Sequence, residues 1–493
     1  MNSSSGKLAF QFNFGPAVAL RPRDPDAPGR ILVLADLSGR GQRGLREPLA
    51  GRRVQHADCD NLDSVFAGFG ASLSLPLAAA PNGAVAARFA SLEDFHPDQL
   101  LQRLAPLQEL LAARRWLQSP ATAAQGAQEL GRLLGTPGTA PAPAPVESGD
   151  DTLARLLGGA PSPVTPAAPK PASGVDIQSI IKNIVGTTGT VPAAPAGQAG
   201  LLSAAELELS ARLRSVLHQA EFQTLEAAWR SVDLLVRRCP DEERIKLSVL
   251  DVTLDELASD LAGLHRLLRD QPPDLIVGHY TFGASPADLE TLGGLAQLAA
   301  ALRTSFLAAA HPSLVGCDSF AQHPDPDDWK FPAAPDVRAA WQTLRALPAA
   351  AHVGLVLPRF LLRQPYGTGS DRIDSFNFEE LPDVSAHEAF LWGNSAFLCA
   401  QVLAEALAAA GEEMDTSGAG DVGELPMFRF KQDGESAMKP CAEAWLVDRA
   451  ADVISQQGFI PCLSIKGRDA VRVAGMRSVS SSSERLAGRW GGG

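Results

Sequence analysis

Four stretches of the sequence carry residue types that could do chemistry. Gly39, Gly41 and Gly44 form a GxGxxG pattern shortly after the apolar run 31–35. Such a loop holds a dinucleotide when a long helix starts within the glycines. Its free amides then bind the pyrophosphate, and an acidic residue, here Asp58 or Asp60, takes the ribose. Pro48 and Gly51 leave no room for that helix, and Asp36-Leu37-Ser38 delays the turn. The pattern therefore reads as a Gly/Arg-rich surface loop. His387-Glu388 opens like a zinc-binding HExxH, but position 391 is Leu, so the second imidazole is missing. Asp318-Ser319 lies between His311 and His323 without a GxSxG elbow. Asp325, Asp327 and Asp328 lack the spacing and the closing Glu of a calcium loop, and no GxxxxGK[ST] phosphate loop is present. The expectation is a protein with no catalytic residues, no metal ligands and no cofactor. The alternative of another class is a nucleotide-binding enzyme that uses the 39–44 loop.

The elements around these stretches alternate in period. Residues 8–20 place Leu8, Phe10, Phe12 and Phe14 on one face of a strand. That strand pairs either within its own domain or with the edge of another sheet. Residues 31–35 read as a buried strand, 52–57 as a second, 61–68 as a short helix, and 73–77 and 84–89 as further strands. Residues 98–117 carry a helical period. Residues 1–135 thus read as an α+β domain. After residue 201 helices and short apolar strands alternate. Helices are expected at 203–217, 222–237, 254–268 (capped by Thr253), from Ser285-Pro286, at 339–347, 387–410 and 441–456. Strands are expected at 245–252, 275–278, 306–310, 353–357, 428–430 and 459–465. Residues 201–475 read as an α/β layered domain, and the Ser-rich end, 476–493, as a disordered tail.

Between the two lies a Pro/Ala/Gly-rich linker, 136–200. Nine of the 37 positions in 136–172 are Pro, a composition that cannot build a core. One island stands out in it. Asp176 can cap a short helix over 176–185 in which Ile177, Ile180, Ile181 and Ile184 fall at i, i+3, i+4 and i+7. A ten-residue helix with an isoleucine stripe needs a groove to lie in, on its own chain or on a partner.

Bulk properties exclude other classes. The 493 residues carry a formal charge of −13, which argues against nucleic acid as a partner. No apolar run approaches the roughly 20 residues that span a bilayer, so membrane insertion is not expected. The first 20 residues lack a signal-peptide core, and the six cysteines stand far apart without metal spacing, both consistent with a cytoplasmic protein.

Read in order, the phrases resemble a known family. ILVLADLSGR (31–40), REPL (46–49), DCDNLDSVF (58–66) and RFASLEDFHPDQLL (88–101) resemble the small sheath subunit of bacterial type VI secretion systems. EFQTLEAAWRSVDLLVRR (221–238), IKLSVLDVTLDEL (245–257), PDLIVGHYTFGASPADLETLGGLA (273–296), FLAAAHPSLVG (306–316), HVGLVLPRFLLRQPYG (352–367), FNFEE (376–380), HEAFLWGNSAFLCA (387–400) and GFIPCLSIKGRDA (458–470) resemble the large one.

The resemblance implies a non-catalytic, phage-tail-like contractile sheath in the cytoplasm, with the two subunits fused through the 136–200 linker. The implied partners are other sheath subunits or copies of the chain itself, an inner-tube protein, a baseplate and an AAA+ recycling unfoldase. It further implies that the strand bearing Phe10, Phe12 and Phe14 is shared between subunits, and that the stripe of Ile177, Ile180, Ile181 and Ile184 is offered to the unfoldase. Large subunits of the family continue well beyond the GFIP-like phrase, whereas this chain ends at 493. The alternative this leaves is an accessory or regulatory protein that binds sheath parts without polymerising.

Overall fold

The computed structural model describes residues 27–77, 80, 82–135, 197–239, 243–330, 335–410, 419–432, 434–482 and 485–489. The expectations for Phe10, Phe12 and Phe14, for Ile177, Ile180, Ile181 and Ile184, and for the linker over 136–196 lie outside these residues. The chain divides into two compact units. One comprises residues 1–77, 84–100 and 214–493, the other residues 78–83 and 101–213.

The first unit is built on a nine-stranded mixed sheet. β1 (Gly29–Ala35) is followed by β2 (Gln55–His56), α1 (Leu62–Phe69), and the hairpin β3 (Ala71–Pro76) and β4 (Ala84–Phe89). From the C-terminal part come α6 (Ala220–Arg238), β5 (Ile245–Asp251), α7 (Leu254–Ser259), α8 (Leu261–Leu268), β6 (Leu275–Phe282), α9 (Pro286–Leu302), β7 (Ser305–Ala310), α10 (Pro335–Arg345) and β8 (Val353–Leu357). There follow β9 (Phe360–Leu361), β10 (Trp392–Gly393), α11 (Ala396–Ala410), β11 (Ala419–Val422), β12 (Phe428–Gln432), β13 (Glu435–Lys439), α12 (Asp448–Gln456), β14 (Ile460–Ser464) and β15 (Val471–Ala474). The strand order is β11-β15-β14-β8-β7-β6-β1-β5-β2. The inner strands run parallel, while β2, β15 and β11 pair antiparallel at the two ends.

Alternation along the strands explains why both faces are covered. Leu32, Leu34, Ile276, Phe306, Ala308, Val353 and Leu355 join one core with Leu289, Leu292, Leu295 and Leu298 of α9. Their neighbours Val33, Val277, Leu307, Ala309 and Val356 are equally buried and point to the other face, and α11 packs on β6, β7 and β8. The mixed helix-and-strand class expected from periodicity is what forms.

The division into two separately folded bodies is not. β1, from the N-terminal part, lies in the middle of the sheet that the C-terminal part builds. It pairs in parallel with β5 over Gly29–Ala35 and with β6 over Ile31–Leu34. α6 packs beside it: Trp229 stacks on Phe66 of α1 at 3.9 Å between ring centroids, and its indole N–H donates to Leu37 O at 2.8 Å. The composition break at 136–200 marks a covalent junction, and an apolar strand such as β1 carries no label for which sheet it enters.

Four element boundaries also differ. The run 98–117 splits into α2 (Pro97–Arg103) and α3 (Ala105–Gln118), because Pro106 lacks the N–H that a continuous helix requires. The run 254–268 splits at Asp260, whose carboxylate takes the Gly263 N–H and caps a new helix. Residues 387–410 are not one helix. Trp392–Gly393 pair with β9, and α11 starts only after Asn394, whose Oδ1 accepts the Ala396 N–H at 2.9 Å. In 441–456 only Asp448–Gln456 is helical. Of the tail expected to be disordered, the described residues 476–482 and 485–489 are packed: Val479 donates its N–H to Val353 O, and Ser478, Val479 and Leu486 are buried.

The second unit contains α3, α4 (Ala123–Leu133) and most of α5 (Gln198–Leu217). Arg114 of α3 pairs with Glu206 of α5 at 2.7 Å, and Arg212 donates to Leu133 O at 3.2 Å. Gly126 lets α4 approach α3, since a Cβ there would lie 2.8 Å from Leu117 N.

A protease site inserted after Ala160 is expected to give two fragments that co-elute in native gel filtration and part only in denaturant. Val33→Asp, which puts a charge on a fully buried strand position, is expected to abolish the co-elution.

Candidate functional site

The 39–44 loop is the first candidate, and its glycines serve packing. Gly39 has φ +72° and lies against β3, where a Cβ would meet Ser72 O at 2.5 Å. The amides that would cradle a phosphate are already used, because Asp36 accepts the N–H of Arg40 and of Gly41 at 2.8 Å each. Burial raises the Asp36 pKa from its usual value. The adjoining cleft of about 170 Å³ is lined by Asp36 and Glu221, with Gly39, Gln42 and Thr224, a wall that repels phosphate. Asp58 is likewise engaged, accepting the N–H groups of Asp60 and Asn61 ahead of α1.

What the loop does present is Arg40, turned inward. Its guanidinium meets Asp251 at 3.1 Å, Glu256 at 3.0 Å and Glu47 at 3.1 Å. Arg52 shares Glu256 and donates to Asp251 O at 2.7 Å. Asp251, at the end of β5, also takes the N–H groups of Leu37 and Ser38 and the Ser38 hydroxyl. Burial would raise Glu256, but the Arg52 and Thr253 hydrogen bonds and the Arg40 charge outweigh it and hold it at about 2.

A second network is buried between α6 and the segment after β9. Arg363 donates to Glu226 at 2.9 Å and forks onto both oxygens of Glu380, at 2.7 and 3.0 Å. Its guanidinium lies 4.3 Å from the Tyr366 ring centroid. The Tyr366 N–H donates to Glu380 at 2.8 Å, and Arg230 donates to Glu226 at 2.8 Å. Burial opposes ionisation of Glu380, and the Arg363 charge reverses this and holds it at about 2.

His387, Glu388 and Glu443 are the one group with metal-ligand spacing among the described residues. Arg359 binds Glu388 at 3.0 Å and Glu443 at 2.5 Å. Lys439 Nζ lies 2.8 Å from His387 Nδ1, and His387 Nε2 lies 3.0 Å from Glu443. With Nδ1 accepting and Nε2–H donating, the imidazole has no lone pair left for a metal. Burial would raise Glu443, but His387 and Arg359 hold it at about 2.

The remaining candidates are turn builders. His311 Nδ1 accepts the Ser313 N–H at 3.2 Å and caps a short 3₁₀ turn, while Ser319 and His323 engage through their backbones. Asp325 caps the next turn by accepting the Asp327 N–H, and Asp327 pairs with Arg449. His311 Nδ1 also lies 2.8 Å from the Ser313 hydroxyl, two residues on, as part of the same 3₁₀ turn that it caps. Sequence reading missed Arg40, Arg52 and Arg363. The available signal was an Arg inside an otherwise apolar phrase, FLLRQPYG, and a Glu inside the apolar face of LEAAW.

Comparison with known proteins matches two sheath models to the two parts of the chain. Residues 201–271 and 266–480 match the family described as EvpB/VC_A0108, tail sheath N-terminal domain. Residues 11–136 match the family described as type VI secretion system, VipA, VC_A0107 or Hcp2. A curated relative, the type VI secretion system sheath protein TssC1 of Pseudomonas aeruginosa, is 31% identical over 307 residues. That alignment covers 58% of this chain and 61% of the relative, so the chain spans less than two thirds of the relative's length.

Arg363→Met would leave Glu226 and Glu380 buried without their shared cation, and a loss of about 3–5 kcal/mol is expected in denaturant unfolding. Glu256, Glu380 and Glu443 all have folded pKa values below the ordinary 4.5. Their contribution is therefore complete above about pH 4.5 and lost as pH falls toward 2. Melting temperature should fall through that window, and more shallowly in Glu380→Gln, which starts from a lower plateau.

Proposed function

Because the chain belongs to the type VI secretion tail sheath family, with a TssB-like part and a TssC-like part in one polypeptide, we propose that it is a non-catalytic structural component of the contractile sheath. One observation carries this reading. β1 of the TssB-like part is an internal strand of the sheet of the TssC-like part, hydrogen-bonded on both sides. Within the first compact unit the two parts share one sheet, and the fusion enforces the one-to-one pairing that a sheath of two subunit types needs. A flexible linker able to span the sites raises their effective concentration to roughly millimolar.

No helix among the described residues is long and apolar enough to cross a membrane. The site of action is the cytoplasm, where copies of the chain assemble with one another or with other sheath subunits around an inner tube. A baseplate and an AAA+ unfoldase complete the partner set. The alternating Phe10, Phe12 and Phe14 supply a strand shared between neighbouring copies, since a lone strand with one apolar face needs a partner edge.

Negative-stain microscopy of the purified chain, alone and with co-expressed inner-tube protein, is expected to show striated tubes. Deleting residues 1–20 should abolish the tubes and leave the melting temperature unchanged. Discrete particles in every mixture would overturn the sheath reading.

A further inference from the structure

Where the chain leaves β1, the ion pairs between the two parts are sorted by origin. Four ion pairs join the 40–52 segment to the 251–256 segment, and all run one way. Arg40 meets Asp251 and Glu256, Arg52 meets Glu256, and Arg46 meets Asp255. The cations belong to the TssB-like part and the carboxylates to the TssC-like part. The Arg46 pair is exposed and contributes little. The other three are desolvated: the side chains of Arg40 and Arg52 are each 8% exposed, that of Asp251 10% and that of Glu256 3%.

Each side is also held by contacts within its own part. Asp36 holds the amides of Arg40 and Gly41, and Gly39 is wedged against Ser72. Glu256 is the return half of a capping box, accepting the Thr253 N–H at 3.0 Å while its own N–H donates to the Thr253 hydroxyl. If Asp251 and Glu256 were missing, Arg40 would keep only the largely exposed Glu47 of its own part as a partner. A buried ion pair adds little net stability over an apolar contact, but a buried charge without its partner is costly. Such a network therefore acts mainly by excluding wrong partners.

We propose that Arg40 and Arg52 select the large-subunit partner: the TssB-like part accepts a TssC-like part that presents carboxylates at the places of Asp251 and Glu256 and rejects one that does not. The rule is indifferent to linkage. It admits the same chain or another copy of it, and it excludes an unlinked large sheath subunit with apolar residues at those places. This deepens the sheath reading by naming the partner's chemistry.

The test uses the full chain cut at a protease site inserted after Ala160. Natural cut complexes, isotopically labelled, are mixed with cut Glu256→Met complexes at a urea concentration that permits exchange, and native mass spectrometry counts the recombined pairs. The natural N-terminal fragment is expected to favour the natural C-terminal fragment by about 100-fold. An N-terminal fragment carrying Arg40→Met and Arg52→Met should lose that preference and turn toward the Glu256→Met fragment, since it leaves Glu256 of the natural one unpaired. If Glu256→Met does not fold, Glu256→Gln keeps the shape, and about a 10-fold preference is expected. A natural preference below threefold, or an equal preference from the double-Met fragment, overturns the proposal. Tubes without selectivity would sink this inference alone, whereas selectivity without tubes would sink the sheath reading and leave this one standing.

Discussion

Strand β1 hydrogen-bonds in parallel to β5 on one side and to β6 on the other, and the rest of the structure depends on that double pairing. A strand in the interior of a parallel sheet must have its amides and carbonyls met from both edges, because no water reaches them. Remove β1 and the TssC-like part has two unpaired edges at the centre of its core. Remove the sheet and β1 is an apolar heptapeptide in water. α6 extends the dependence beyond the sheet, since Trp229 buries its ring on Phe66 and its indole N–H on Leu37 O.

Charge is used sparingly and in a particular way. Three buried acids of the first unit meet arginines in forked or shared geometry: Glu256 with Arg40 and Arg52, Glu380 with Arg363, Glu443 with Arg359. A planar guanidinium can satisfy two carboxylates at once and stays charged at any relevant pH. These networks hold loops that leave strand ends, where backbone pairing stops and nothing else fixes the chain's direction. Asp251 illustrates this, taking two backbone amides, a hydroxyl and a guanidinium as the chain leaves β1.

The motif-like stretches acquire their meaning from the same economy. The GxGxxG loop lends its amides to Asp36 instead of a phosphate, and its first glycine is there for the approach to β3. His387 is clamped between Lys439 and Glu443 and has no lone pair to offer. In each case the residue types suited to chemistry are present, and their polar atoms are consumed by the fold.

Local signals in the sequence were sufficient for most elements. Alternation marked β3 and β4, the apolar runs marked β7 and β8, Thr253 and Ser285 marked helix starts, and ordered phrases pointed to the sheath family. Their physical cause is short-range: side-chain period, capping and backbone freedom operate over a few residues, so they can be read without knowing the neighbours. The composition break at 136–200 was equally visible. Tertiary structure alone decided that the break does not separate two sheets, that residues 476–482 and 485–489 pack on the core, and that Arg40, Arg52 and Arg363 are buried. Those facts depend on which surfaces meet between segments far apart in the chain, and neither an apolar strand nor a lone arginine carries in its own sequence the identity of its distant partner.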